Sequence, residues 1–204
     1  FKIDVEGKVY LADTFIIASG ASARLLGVKG ESELMGYGVS ACATCDGAFF
    51  REQDVAVVGG GDSALEEANF LTRFAKSVTI VHRRDALRGS QIMQNRVLAN
   101  PKIKVAWDSI VDEMVGTRES GLTAVRLKNA KSGELSDLVV TGCFVAVGHD
   151  PNTSLFKGKL STDDKGYLIT KPFTGTGAIP ATATDVPGVF ACGDVQDSHY
   201  RQAI

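Results

Sequence analysis

"DVAVVGGGDSALEEANFLTRFAKSVTIVHRR", residues 54–84, decides the fold. "DVAVVG" is a continuous apolar run, as a strand buried on both faces requires. "GGGDSA" is a glycine-rich turn. Leu65, Ala68, Leu71, Phe74 and Ala75 then recur at helical spacing. "SVTIVH" is a second buried strand. Strand, helix and strand fit into about 30 residues, the length of one β-α-β unit. Gly59, Gly61 and Ala64 match G-x-G-x-x-G/A in the strand-to-helix context that gives this pattern its meaning. Gly59 permits the tight turn, Gly61 lets a pyrophosphate approach the backbone, and Ala64 lets the helix pack closely on the strand. Asp62 and Ser63 open the helix and are counted with the cofactor-binding residues. A helix N-terminus there offers N–H groups and a partial positive charge to phosphates.

The end of the second strand selects the dinucleotide. An NAD site usually carries an acid about 20 residues beyond the glycines, bonded to the ribose 2′-hydroxyl. Here the strand ends in His82, Arg83 and Arg84, with Arg88 a helical turn further. The first carboxylate, Asp85, comes after both arginines. Guanidinium groups pair with a phosphate dianion. The expected cofactor is therefore NADPH.

Outward from this unit, "KVYLADTFIIASGAS" (8–22) reads as a strand ending in a glycine turn, and 24–38 as a linker with turns. "GSQIMQNRVLANP" predicts a helix capped by Ser90 and stopped before Pro101. From residue 103 the period becomes two: "IKVAWDSIVDEMV", "LTAVRLKNA" and "ELSDLVV" predict an antiparallel meander. "CFVAVG" (143–148) is again a buried strand, "HDPNT" (149–153) a turn at a domain boundary, and the last six residues the start of a helix.

The chain has 204 residues and a formal net charge of −2, so no global field draws it to nucleic acid or to an anionic membrane. No apolar run reaches the roughly 18–20 residues of a bilayer span. It begins "FKIDVEGKVY", without Met, so the absence of a signal peptide tests little. Cysteines stand at 42, 45, 143 and 192. They are too few for a disulfide-framework fold. Cys143 and Cys192 read as small buried side chains. Cys42 and Cys45 form a C-x-x-C. Zinc needs further ligands, and neither the single cysteines nor His82, His149 and His199 supply the spacing. A structural bridge across two residues constrains little of the unfolded chain. Redox exchange is favoured: one thiolate attacks a partner disulfide and the other resolves the mixed disulfide. Asp46 follows at once, either as a proton shuttle or as the opening of a turn with Gly47. A hydride donor reduces a disulfide poorly without a mediator, and a flavin is the usual one.

"ACATCDGAFF", "VVGGGDSALEEA", "HRRDALRGS", "GHDPNT" and "PGVFACGDVQDSHYRQAI" follow in this order and together resemble low-molecular-weight NADPH-dependent thioredoxin reductase. The resemblance implies an α/β fold: a Rossmann-like NAD(P)-binding domain, with a β-α-β core and an antiparallel meander, inserted into a partial FAD-binding domain. Residues 25–149 would form the NADPH domain; 1–24 and 150–204 would belong to the FAD domain. Cys42 would attack oxidised thioredoxin, Cys45 would face the flavin, and Asp46 would be the acid–base residue. Gly193, Asp194 and Val195 would bind the flavin's ribityl chain, and Arg201, Gln202 and Ala203 the isoalloxazine and phosphates. The resemblance further implies a cytoplasmic homodimer, with no nucleic acid or membrane partner, in which the NADPH domain rotates between two states about hinges near 20–30 and at "GHDPNT". The family's N-terminal FAD motif and closing helix lie outside this sequence. The segment is therefore expected to bind NADPH but to hold FAD weakly or not at all. Two rivals are the flavoprotein subunit of alkyl hydroperoxide reductase, which usually has a different C-x-x-C interior, and a non-catalytic NADP-binding redox sensor.

Overall fold

The computed structural model describes residues 1–171 and 181–198. It forms two compact units, residues 23–148 and residues 1–22 with 149–204.

In the unit of residues 23–148, strands β1 (Val39–Ser40), β2 (Asp54–Val58), β3 (Ser77–Val81), β4 (Ile103–Ala106) and β8 (Gly142–Val145) make a parallel sheet in the order β1-β8-β2-β3-β4. Strands β5 (Ser109–Thr117), β6 (Gly121–Asn129) and β7 (Leu135–Val139) make an antiparallel meander. Helices α1 (Glu31–Leu34), α2 (Ala43–Asp46), α3 (Asp62–Leu71) and α4 (Gln91–Ala99) complete the unit.

Alternation along β2 explains the layering. Val55 and Val57 join Ala64, Leu65, Ala68 and Leu71 of α3 in one core cluster. Ala56 and Val58 join Val111, Met114, Leu122 and Val125 of the meander in another. A parallel strand covered on both faces must be apolar at every position, and "VAVV" is. Burying each such valine contributes about 1.5–3 kcal/mol relative to leaving it in water.

Register sets the site. Val58 lies opposite both Val81 and Val145, and Ser40 opposite Phe144. Four strands therefore end at one edge of the sheet, and Ala41, Gly59, His82 and Ala146 leave it there. Ligands of open α/β sheets bind outside this carboxyl edge.

Several elements depart from the sequence reading. The expected helical face extends to Ala75, but α3 stops at Leu71. The Thr72 hydroxyl bonds back to the Asn69 carbonyl at 2.7 Å, and the Lys102 ammonium takes the carbonyls of Thr72 and Ala75. Ser90 is the N-cap residue of α4, but its side chain caps nothing. "IKVAWDSIVDEMV" is not one meander strand: Asp108 has a φ of 49°, which breaks it, and Ile103–Ala106 joins the parallel sheet. The 24–38 linker contains α1. There Glu31, 1% exposed, accepts the backbone N–H groups of Leu26 and Gly27.

In the other unit, Lys2–Val5 and Lys8–Leu11 form an antiparallel hairpin over Glu6 and Gly7, both at positive φ. That is the backbone a two-residue hairpin turn requires. The expected strand over 8–22 is interrupted, and Phe15–Ile17 pairs in parallel with Val189–Ala191 instead. Ile17, Leu168, Val189, Ala191 and Val195 form the small core.

Candidate functional site

The glycine turn opens onto a cavity of about 680 Å³ lined by Gly59, Gly60, Gly61, Asp62, Ser63, Arg83 and Arg88, among others. Each glycine is needed for a different reason. Gly59 has a φ of 153°, and a Cβ on it would strike the Ala146 carbonyl and the Ala64 methyl. A Cβ on Gly60 would run into the His82 ring. A Cβ on Gly61 would meet no protein atom within 4 Å. Gly61 therefore fills no structural need inside the protein, and its bare backbone faces open space. It is also the N-cap of α3, with no side-chain cap on the first-turn N–H groups. The Asp62 carboxylate accepts the Ser90 N–H at 2.7 Å, which holds its pKa below the usual aspartate value.

The arginine loop is tied to this turn. The N–H groups of Arg88 and Gly89 both donate to the Gly60 carbonyl. His82 is 4% exposed; its Nδ1 lies 3.1 Å from the Gly59 carbonyl and its Nε2 2.9 Å from that of Ala86. The ring thus spans the turn and the loop, with both nitrogens engaged by the protein. Arg83, Arg84 and Arg88 are exposed, and none has an ion-pair partner among the described residues. Arg83 and Arg88 line the cavity; Arg84 does not. Asp85, the acid next to Arg84 in sequence, is paired with Lys131, whose hydrogen bond lowers its pKa. Lys131 also holds Asp108.

Cys42 and Cys45 are joined in a disulfide. Cys42 is the N-cap of α2, where its sulfur accepts the Cys45 N–H at 3.2 Å. Cys45 is the more exposed of the two. Ala43, between them, is 1% exposed and sits in the cluster that contains Ala64, Leu65 and Ala68, which anchors the pair to α3. Gly47 is pressed against Phe70, Leu71 and Phe74. Asp46 Oδ2 lies 2.7 Å from the hydroxyl of Ser40, at the end of β1.

In the unit of residues 1–22 with 149–204, Gly193, Asp194 and Val195 form a 3₁₀ turn directly beyond Val189–Ala191. Gly193 has a φ of 71° and open space where a Cβ would stand. The Asp194 carboxylate has no hydrogen-bond or ion-pair partner among the described residues. An unpaired carboxylate at the carboxyl end of a parallel strand suits a ligand hydroxyl. Arg201, Gln202 and Ala203, and the expected closing helix, lie outside the described residues.

Sequence reasoning missed Ser40 and Glu67. A serine two residues before the first cysteine was the available signal for Ser40. Glu67 lies on α3 among apolar positions, and its Oε2 is shielded from water without a partner. Cys143 is fully buried, and burial first, then the charge of Glu31, pushes its thiol up to about 12. Among the described residues there is no group of three or more His, Cys, Asp or Glu placed to hold a metal ion, and no helix long and apolar enough to cross a membrane.

The family model described as pyridine nucleotide-disulphide oxidoreductase matches residues 1–204. Thioredoxin reductase of Streptomyces coelicolor is 55% identical over 201 residues, 98% of this chain and 60% of that protein. Thioredoxin reductase 1, mitochondrial, of Arabidopsis thaliana is 51% identical over 211 residues, 100% of this chain and 54% of that protein. Among solved structures, thioredoxin reductase from Streptococcus pyogenes has a TM-score of 0.85 at 46% identity, over 98% of this chain and 63% of its own. That from Giardia duodenalis has a TM-score of 0.83 at 45% identity, over 98% and 64%. The chain therefore spans about 60% of the length of these relatives.

Proposed function

We propose, for a chain that belongs to the pyridine nucleotide-disulphide oxidoreductase family, that Cys42–Cys45 is the redox centre of an NADPH-dependent, FAD-containing thioredoxin-disulfide reductase. The observation that carries the reading is the disulfide itself, followed by Asp46 and built into the same unit as an NADP-type turn. The relatives of the same name support it.

The residues present fit both cofactors. The Gly59–Gly61 turn and the first turn of α3 would hold the pyrophosphate of NADPH, with Arg83 and Arg88 on its 2′-phosphate and Arg84 in reach from the same loop. Asp194 and the Gly193 turn would hold part of FAD. On this reading residues 23–148 are the NADPH domain and the other unit is part of the FAD domain. When bound, NADPH supplies a hydride and FAD supplies the relay from that hydride to a disulfide.

This chain's own chemistry begins with the dithiol. The Cys42 thiolate attacks a sulfur of oxidised thioredoxin, forming a mixed disulfide and releasing one thioredoxin thiolate. Cys45 then attacks Cys42, re-forms the intramolecular disulfide and releases the second thiolate. Asp46 takes up and returns the protons as thiols become thiolates. A homodimer in the cytoplasm is part of the same reading.

The test is steady-state NADPH oxidation by the protein at its natural length, with and without thioredoxin. Thioredoxin-dependent turnover is expected, with NADPH preferred over NADH in a way that the Arg83→Ala/Arg84→Ala double variant erases. Turnover only with a peroxide and a peroxidase partner, or none with any acceptor, would overturn the reading.

A further inference from the structure

Asp46 does not stand alone beside the disulfide. Ser40 ends β1 at 5% exposure, fixed opposite Phe144 in the parallel sheet. Its oxygen accepts the Cys42 N–H at 3.0 Å. Its single hydroxyl proton has two acceptors in range, Asp46 Oδ2 at 2.7 Å and the Cys42 carbonyl at 3.4 Å. The shorter contact goes to the charged group and is the stronger one. Asp46 Oδ1 has no partner among the described residues. A second cavity, of about 190 Å³, is lined by both Ser40 and Asp46.

We infer that Ser40 is a positioning residue for proton transfer at the dithiol: it holds one oxygen of Asp46 and turns the other free for exchange. This rests on the reading of Asp46 as the acid–base group. Ser40 moves no proton itself. It links the first cysteine's backbone to the carboxylate in one chain, Cys42 N–H to Ser40 Oγ and Ser40 O–H to Asp46 Oδ2. The carboxylate therefore stays registered to the sulfur-bearing turn. When the pair closes, one thiolate attacks the sulfur of a mixed disulfide, the departing group leaves as a thiolate, and Asp46 takes the proton of the attacking thiol. The cavity beside both residues connects that proton to water.

The test uses the 204-residue chain carrying Cys192→Ser, reduced with dithiothreitol and freed of it. Stopped-flow mixing with one equivalent of 5,5′-dithiobis(2-nitrobenzoate) reads two releases of thionitrobenzoate. The first marks formation of the mixed disulfide and the second marks closure of Cys42–Cys45. Ser40→Ala is expected to slow closure about tenfold, the effect of losing a hydrogen bond to a charged group. Ser40→Thr, which keeps the hydroxyl and has the cavity for its methyl, restores the rate. Adding Asp46→Asn to Ser40→Ala slows closure no further than Asp46→Asn alone, because the two act as one unit. Closure at the parent rate in Ser40→Ala overturns the inference. So does equal slowing in both Ser40 variants with a fallen melting temperature, which marks a merely structural role. Thioredoxin-dependent NADPH turnover at natural length is a separate measurement: its failure would sink the function and leave the closure rates to decide Ser40.

Discussion

Glu67 sets a pH dependence on the stability of the redox unit. It lies on α3 three and four positions before Phe70 and Leu71, which together with Phe74, beyond the helix end, pack on Gly47 beside the disulfide turn. Burial first, and Glu66 second, raise its pKa from 4.5 to about 7. The folded state therefore holds this proton more tightly than the unfolded state. The stability it contributes is fully present below about pH 4.5 and is lost as pH rises through about 7. A tenfold change in proton affinity is about 1.4 kcal/mol, so the whole swing is about 3 kcal/mol. Glu67→Gln keeps the shape and removes the titration. Trp107, the single tryptophan, lies in the same unit and reports its unfolding. Urea unfolding followed at pH 5, 6, 7 and 8 yields the stability difference between parent and variant at each pH, and histidines common to both cancel. Carboxylates held below their usual values, such as Asp54 and Asp62, lose their contribution as pH falls below about 4 and stay out of this window. Between pH 5 and 8, which takes in most of that swing, the variant should gain about 2–3 kcal/mol on the parent. A difference that stays constant across that range would refute the buried-carboxyl account.

Alanine at two adjacent glycines should separate folding from binding. Gly61→Ala meets open space, so its melting temperature should hold while affinity for 2′,5′-ADP falls at least tenfold; Gly60→Ala displaces the His82 ring and should lower both. Equal effects in calorimetry would show that the two glycines serve one purpose. The Cys143 thiol, pushed up from 9.0 to about 12, should react with iodoacetamide at pH 8 about a thousandfold more slowly than an ordinary thiol in the folded, reduced chain, and normally in urea. Peptide mass spectrometry reads this, and rapid labelling of Cys143 in the folded chain would contradict its burial.

The β-α-β unit was legible because its signals are local. Apolar runs, a glycine turn and a helical stripe each fall within a few residues of chain. The same signals failed where a neighbour decides the outcome. Period two marks Ile103–Ala106 as a strand, but only pairing with Ser77–Val81 makes it the edge of the parallel sheet. His82 sits where a phosphate ligand was expected, yet its ring turns inward because two carbonyls, of Gly59 and Ala86, converge on it. Ser40 carries no motif of its own; its role comes from a strand end meeting a turn that starts two residues later. Composition shows that Glu67 is charged, not that the packing of α3 on the disulfide segment withdraws one of its oxygens from water.

Helix α3 also explains how the two halves of the proposed chemistry share one unit. Its N-terminus opens on Gly61, and its far end, at Phe70 and Leu71, presses on Gly47 beside Asp46. Ten residues at about 1.5 Å each place about 15 Å of helix between these ends. Across the sheet, β1 and β2 are separated by β8, two strand spacings or about 10 Å. Helix and sheet are welded by side chains at or near zero exposure, Val55, Val57, Leu65, Ala68 and Leu71. Such packing does not stretch or slide to bring the nucleotide turn to the disulfide. On the proposed reading a mediator carries the electron pair from the dinucleotide to the sulfurs. The Asp194 carboxylate, without a partner among the described residues, is the group of the other unit proposed to hold part of that mediator.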